Sequence, residues 1–87
     1  MHTLVATFVS HFGALRFEKQ CAQAGWTSRL MPVPRALSSS CGTCVRYETP
    51  GDALFPEGVH LDELEQVARE DGVEGSSYTT LWEHDSS

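Results

Sequence analysis

A run of β-branched and apolar residues from Thr3 to Val9 is followed, after one serine, by helical periodicity that stops at Gly25. This strand-to-helix step constrains the fold more than any other feature. Whatever follows has to pair with the strand and share the helix as its cover. Ser10 carries an N-cap side chain. Phe12, Leu15, Lys19 and Ala22 form one stripe, and Ala14, Phe17, Cys21 and Ala24 form the next. Two adjacent stripes predict a wide buried helix face over residues 11–24. Gly25 suits the C′ position that ends such a helix.

Beyond Gly25 the signals are shorter. Residues 26–31 predict a second strand, closed by Pro32 and Pro34, which lack a backbone donor. Residues 35–42 read as a loop. Residues 43–48 alternate, with Thr43, Val45 and Tyr47 on one face and Cys44, Arg46 and Glu48 on the other, as in a half-buried strand. Thr49-Pro50-Gly51-Asp52 is a turn signal, and residues 53–59 read as a connection. Leu61, Leu64, Val67 and Ala68 predict a second helix over 60–71, stopped by Gly72. Residues 77–82 predict the last strand, where Tyr78, Thr80 and Trp82 alternate as an apolar patch for a partner or a second copy of the chain, or pack under the helices. The expected class is α+β, in the order β-α-β-β-α-β. A ferredoxin-like domain of four antiparallel strands with two helices on one face satisfies that order over residues 1–83, leaving 84–87 as a tail. Many unrelated activities use that architecture, so the order alone assigns no function.

With 87 residues, the chain has room for one small core. No apolar run approaches the length of a membrane span, and residues 3–9 lack the flanks of a signal peptide. The expected location is therefore the cytoplasm. The net charge of −6 is unevenly divided: residues 1–47 carry +4 and residues 48–87 carry −10. All three cysteines lie in the basic half, where a cationic field favours thiolates and small anions. The basic groups are few and scattered and the total charge is negative, which argues against nucleic-acid binding.

An odd number of cysteines does not make a disulfide framework. Cys41 and Cys44 are spaced as CxxC in Ser38-Ser39-Ser40-Cys41-Gly42-Thr43-Cys44, and four readings stay open. In the first, Cys41 is a nucleophilic or carrier thiol. Gly42 then permits a close turn, Ser38, Ser39 and Ser40 supply hydroxyls and N–H groups, and Arg35 or Arg46 folds back as a charge partner. In the second, Cys41 and Cys44 are a dithiol/disulfide oxidoreductase pair. That needs a tight turn at Gly42-Thr43, because an extended segment holds them ~10 Å apart, beyond the ~7 Å a disulfide allows. In the third, they begin a zinc site, but Cys21, His2, His11, His60 and His84 add no second ligand pair at metal spacing. In the fourth, both thiols are passive and the domain is a non-catalytic interaction module. Cys21, on the apolar side of the first helix, reads as a packed thiol.

The stretch from Leu4 to Glu48 resembles the family of selenium/sulfur-carrier-like proteins. The likeness rests on Val5-Ala6-Thr7-Phe8 with the following Ala14-Leu15-Arg16-Phe17-Glu18, and on Arg29-Leu30-Met31-Pro32-Val33-Pro34-Arg35. Its most specific part is Ser38-Ser39-Ser40-Cys41-Gly42 followed by a strand with Arg46. The resemblance implies a carrier that takes sulfur or selenium on Cys41 as a persulfide or selenyl sulfide. Its partners would be chalcogen donor and acceptor proteins, and it would need no cofactor. By position, Cys41 is then the acceptor, Gly42 its turn, Ser38–Ser40 the loop and Arg35 the charge partner. Cys44 departs from the single-cysteine form. A second thiol within reach would resolve a persulfide, releasing sulfide and leaving a disulfide.

Overall fold

The alternation in Thr43–Thr49 and the β-branched run before Ser10 build the centre of an antiparallel sheet. The computed structural model describes residues 2–37, 39–71 and 77–84. Strand β1 (His2–Phe8) leads into helix α1 (His11–Gln23), and β2 (Ser28–Pro32) and β3 (Thr43–Thr49) follow. A 3₁₀ turn (Leu61–Glu63) then enters β4 (Leu64–Asp71), and β5 (Ser77–Glu83) closes the sheet. The spatial order is β2-β3-β1-β4-β5, with every neighbouring pair antiparallel.

Local chemistry accounts for the first half. Ser10 is extended, and its hydroxyl accepts from the Gly13 N–H, capping α1. Gly25 has φ +80°, the left-handed conformation that glycine adopts without a Cβ clash. The helix lies against one sheet face, where Ala14, Phe17 and Cys21 join Leu4, Ala6, Phe8, Val45, Tyr47, Leu64 and Val67 in one core. Phe17 sits between Phe8 and Tyr47, with ring centroids 5.1 and 5.0 Å away. Full burial of a side chain of this kind contributes about 1.5–3 kcal/mol.

Only one of the two expected apolar stripes of α1 is buried. Phe12 and Leu15 are 69% and 44% exposed, so the wide buried face reduces to Ala14, Phe17 and Cys21. The reason is geometric: one helix on a sheet buries the stripe that faces it, and among the described residues no element covers the adjacent stripe.

The expected second helix over 60–71 is not formed. Its place is taken by the 3₁₀ turn and β4, so among the described residues the two-helix, four-stranded arrangement gives way to one helix and five strands. Gly72 lies outside the described residues. The periodicity has a physical explanation. Between the pairs Thr7–Gln66 and Phe8–Leu64, β4 carries one extra residue, Glu65. This β-bulge puts Leu64 and Val67 on the same face at a spacing of three, which mimics a helical stripe. The sheet face that a second helix would cover is closed instead by the connection between β3 and β4. Tyr47 Oη donates to the Leu54 carbonyl, Gln20 donates to the Gly58 carbonyl at 2.7 Å, and Phe55 packs edge-on to Trp82.

A second bulge divides the last strand. Val67 pairs with Trp82 but Ala68 pairs with Thr80, leaving Leu81 extra. Trp82 therefore packs with the core while Tyr78 stands opposite Glu70. The expected Tyr78–Thr80–Trp82 row is not continuous.

Candidate functional site

The Cys41 loop is fastened at the end of the sheet where β1 turns into α1. Ser39 is its pivot: the hydroxyl donates to the Phe8 carbonyl at 3.1 Å and accepts from the Cys41 N–H at 3.4 Å. It also lies 3.8 Å from Cys41 Sγ. Gly42 has φ +75°, which turns the chain back into β3, and its carbonyl accepts from Val33 N–H at 3.2 Å. Cys41 Sγ donates to the Thr43 carbonyl at 3.3 Å. The thiol is half-buried and leans on the edge of the core.

The three cysteines are not equivalent. Cys21 is fully buried in the core, and burial pushes its thiol up to about 12. Cys44 is also fully buried, on the sheet face away from α1. Burial, with a smaller contribution from neighbouring Cys41, pushes it up to about 11. Its Sγ donates to the Pro32 carbonyl at 3.7 Å. Cys41 alone is partly open to solvent. All three are free thiols, and the turn at Gly42 sends Cys41 and Cys44 to different sides of the sheet.

Of the other expected site residues, Ser39 and Gly42 shape the loop, and Ser38 lies outside the described residues. Arg35 is exposed in the turn after Pro34. Arg46 is not a charge partner for Cys41. It reaches across β1 to Glu70, with Nε–Oε1 at 3.2 Å and Nη2–Oε2 at 2.8 Å. Strand alternation requires this: Arg46 shares the face of Cys44, opposite to the core side on which Cys41 leans. Among the described residues no three His, Cys, Asp or Glu side chains converge as metal ligands.

Glu65 contacts the candidate site and has no signature in the sequence. As the bulged residue of β4 it is turned toward the cysteine loop. Its Oε1 accepts from the Ser40 N–H at 3.1 Å, and its Oε2 accepts from the Ser40 hydroxyl at 2.6 Å. Bulges commonly re-aim side chains in this way. A reading of 60–71 as helix places Glu65 on a helix surface and hides the contact.

No described helix is long and apolar enough to cross a membrane. The sequence profile of the family described as "Putative Se/S carrier protein-like" matches residues 3–79, which include the whole cysteine loop. Comparison with curated proteins and with solved structures gave no match.

Proposed function

The chain belongs to this Se/S carrier-like family, and we propose that it carries a sulfur or selenium atom on Cys41 and passes it to a partner protein. One observation carries the choice of residue. Cys41 is the cysteine that is not fully buried, and it sits in a loop held by hydrogen bonds at the sheet end. Carrier chemistry needs an accessible thiol and no general base or oxyanion hole.

In the loading step, the Cys41 thiolate attacks the terminal sulfur of a donor protein's persulfide. A new S–S bond forms to Cys41, the donor's S–S bond breaks, and its electron pair leaves on the donor thiolate. The proton from Cys41 goes to solvent before attack. The exchange is neutral in electrons and needs no further oxidant. The same displacement at selenium gives a selenyl sulfide. Delivery repeats the step with an acceptor thiolate. Ser39 Oγ lies 3.8 Å from Sγ, and its single hydrogen would reach a charged sulfur there only by leaving the Phe8 carbonyl.

The dithiol reading has less support. Cys44 is closed to solvent, its ionisation is suppressed, and it faces away from Cys41. Intact-mass analysis after incubation with a cysteine desulfurase and free cysteine tests the proposal. The expected result is an adduct of one sulfur atom that maps to Cys41, disappears in Cys41→Ser and persists in Cys44→Ser. An unmodified wild-type protein, or an adduct that survives Cys41→Ser, overturns it.

A further inference from the structure

Strand β2 is one edge of the sheet, and its register leaves a short ladder unused on the outside. The Thr27 carbonyl accepts from Glu48 N–H at 3.0 Å, and Val33 N–H donates to the Gly42 carbonyl at 3.2 Å. Pairing runs unbroken between these bonds, from Ser28–Tyr47 to Pro32–Thr43. The odd-numbered residues of β2 are therefore the ones that bond to β3. Ser28 and Leu30 direct their N–H and C=O groups away from the sheet, while Pro32 has no N–H to offer.

Beside this ladder, between α1 and β2, runs an open groove of about 770 Å³. Phe12, Leu15, Ala22 and Trp26 are its apolar lining. Phe12 and Leu15 belong to the α1 stripe that no described element covers. A strand added along β2 would send every second side chain toward this groove. The others would lie on the opposite face, beside Arg29, which is paired with Arg46 there.

Charge selects the occupant. Arg16 and Lys19 line the groove against one acid, Glu18, and Arg29 adds a third cation on β2. Lys19 and Arg29 take part in no ion pair among the described residues. A second copy of the chain fits poorly at this edge. Two-fold antiparallel pairing with Ser28 opposite Leu30 brings Arg29 against the second copy's Arg29, at a Cα separation of ~4.5 Å, and like charges directly opposite are destabilising. With Leu30 opposite Leu30, the Ser28 carbonyl meets Pro32, which has no donor. With Ser28 opposite Ser28, the Leu30 carbonyl meets Trp26, whose N–H already donates to the Cys21 carbonyl at 2.9 Å. Arg29 and Pro32 thus guard the edge against self-pairing. They leave it open to a strand with acidic side chains.

We infer that β2 accepts an extended segment of a partner protein, alternating apolar and acidic residues, as a further strand of the sheet. Its apolar side chains enter the groove beside Phe12 and Leu15, and its acidic side chains lie beside Arg29. Main-chain bonds to Ser28 and Leu30 supply the register, and the groove and Arg29 supply the selectivity. The inference uses no property of Cys41 and stands without the carrier proposal.

NMR titration of the ¹⁵N-labelled full chain with acetyl-Glu-Val-Asp-Val-Glu-Leu-Glu-amide tests it. The expected result is saturable shifts and slowed hydrogen exchange at the Ser28 and Leu30 amides. Exchange at Arg29 and Met31, already bonded to β3, should not change. Affinity should fall about two- to fivefold in Arg29→Gln, the size of one cross-strand charge pair. It should fall about tenfold in Phe12→Ala, through lost apolar burial. The basic counterpart acetyl-Lys-Val-Lys-Val-Lys-Leu-Lys-amide should not bind. No saturable shift, equal binding of the basic peptide, or shifts along the groove without slowed exchange at Ser28 and Leu30 overturn the inference. Slowed exchange at these two amides that grows with protein concentration alone assigns the edge to a second copy and also overturns it. Cys41→Ser should leave the titration unchanged, so the outcome is separable from the fate of the carrier proposal. Binding lost in that variant assigns the peptide to the cysteine loop and overturns the inference.

Discussion

Glu65 holds Ser40 with both carboxylate oxygens, at 3.1 Å to the N–H and 2.6 Å to the hydroxyl, and so ties the cysteine loop to a strand 25 residues away. Two donors on one charged acceptor make a stronger anchor than neutral pairs would. The contact is exposed, so its net contribution is discounted for solvent. Glu65→Ala should therefore lower stability by only about 1 kcal/mol. The local effect should be larger: faster amide exchange at Ser40 and Cys41, and faster alkylation of Cys41. Hydrogen exchange with mass readout checks this, and unchanged protection at both amides would show that the anchor does not order the loop.

The thiols should separate by pH. Burial raises Cys44 to about 11 and Cys21 to about 12, so both stay protonated as well as covered at about pH 8. Brief iodoacetamide treatment of the native chain should label Cys41 alone, as read by peptide mapping. Labelling of Cys44 at a comparable rate would mean that its face opens readily.

The same shifts imply alkaline destabilisation. Unfolded thiols ionise near the ordinary value of 9.0, whereas folded Cys44 and Cys21 hold their protons to about 11 and about 12. Across that window the unfolded chain binds fewer protons, so rising pH favours unfolding; below about pH 9 these groups contribute no slope. Denaturant midpoints should fall between about pH 9 and pH 11. Cys44→Ala should flatten the fall, whatever it does to absolute stability. A slope identical to wild type would remove Cys44 from this account.

Arg46 and Glu70 should couple to each other and not to the site. Their pairing is bidentate and partly buried, so a double-mutant cycle with Arg46→Gln and Glu70→Gln should give an interaction of about 1 kcal/mol. Neither change should alter the alkylation rate of Cys41. A slower rate in Arg46→Gln alone would restore this arginine as a charge partner of the thiol.

Gly42→Ala should isolate backbone strain. A Cβ built at this position meets nothing within 4 Å, yet φ is +75°. The expected loss is about 1–2 kcal/mol, the cost of the left-handed conformation for an L side chain. A neutral substitution, measured by thermal or denaturant unfolding, would show that the loop adopts another turn at little cost.

The sequence by itself determined β1, α1, β2 and β3, because each is specified by signals within a few residues. Ser10 caps the helix, Gly25 ends it, the prolines close β2, and the alternation of 43–48 fixes which side of β3 meets the core. It also singled out Cys41 and its turn at Gly42. It also marked the last strand over 77–82, which forms as β5 (Ser77–Glu83). Tertiary structure decided the features that follow. Leu64 and Val67 at a spacing of three fit a helix equally well; pairing with β1, with Glu65 bulged out, makes the segment a strand. The insertion at Leu81 likewise turns Trp82 to the core, which simple alternation does not reveal. Arg46 is near Cys41 in sequence but belongs to Glu70 in space, and Glu65 is distant in sequence but holds the loop. The cause is common to all four. Local periodicity encodes which residues can share a face, whereas the partner across the sheet is selected by long-range hydrogen-bond register.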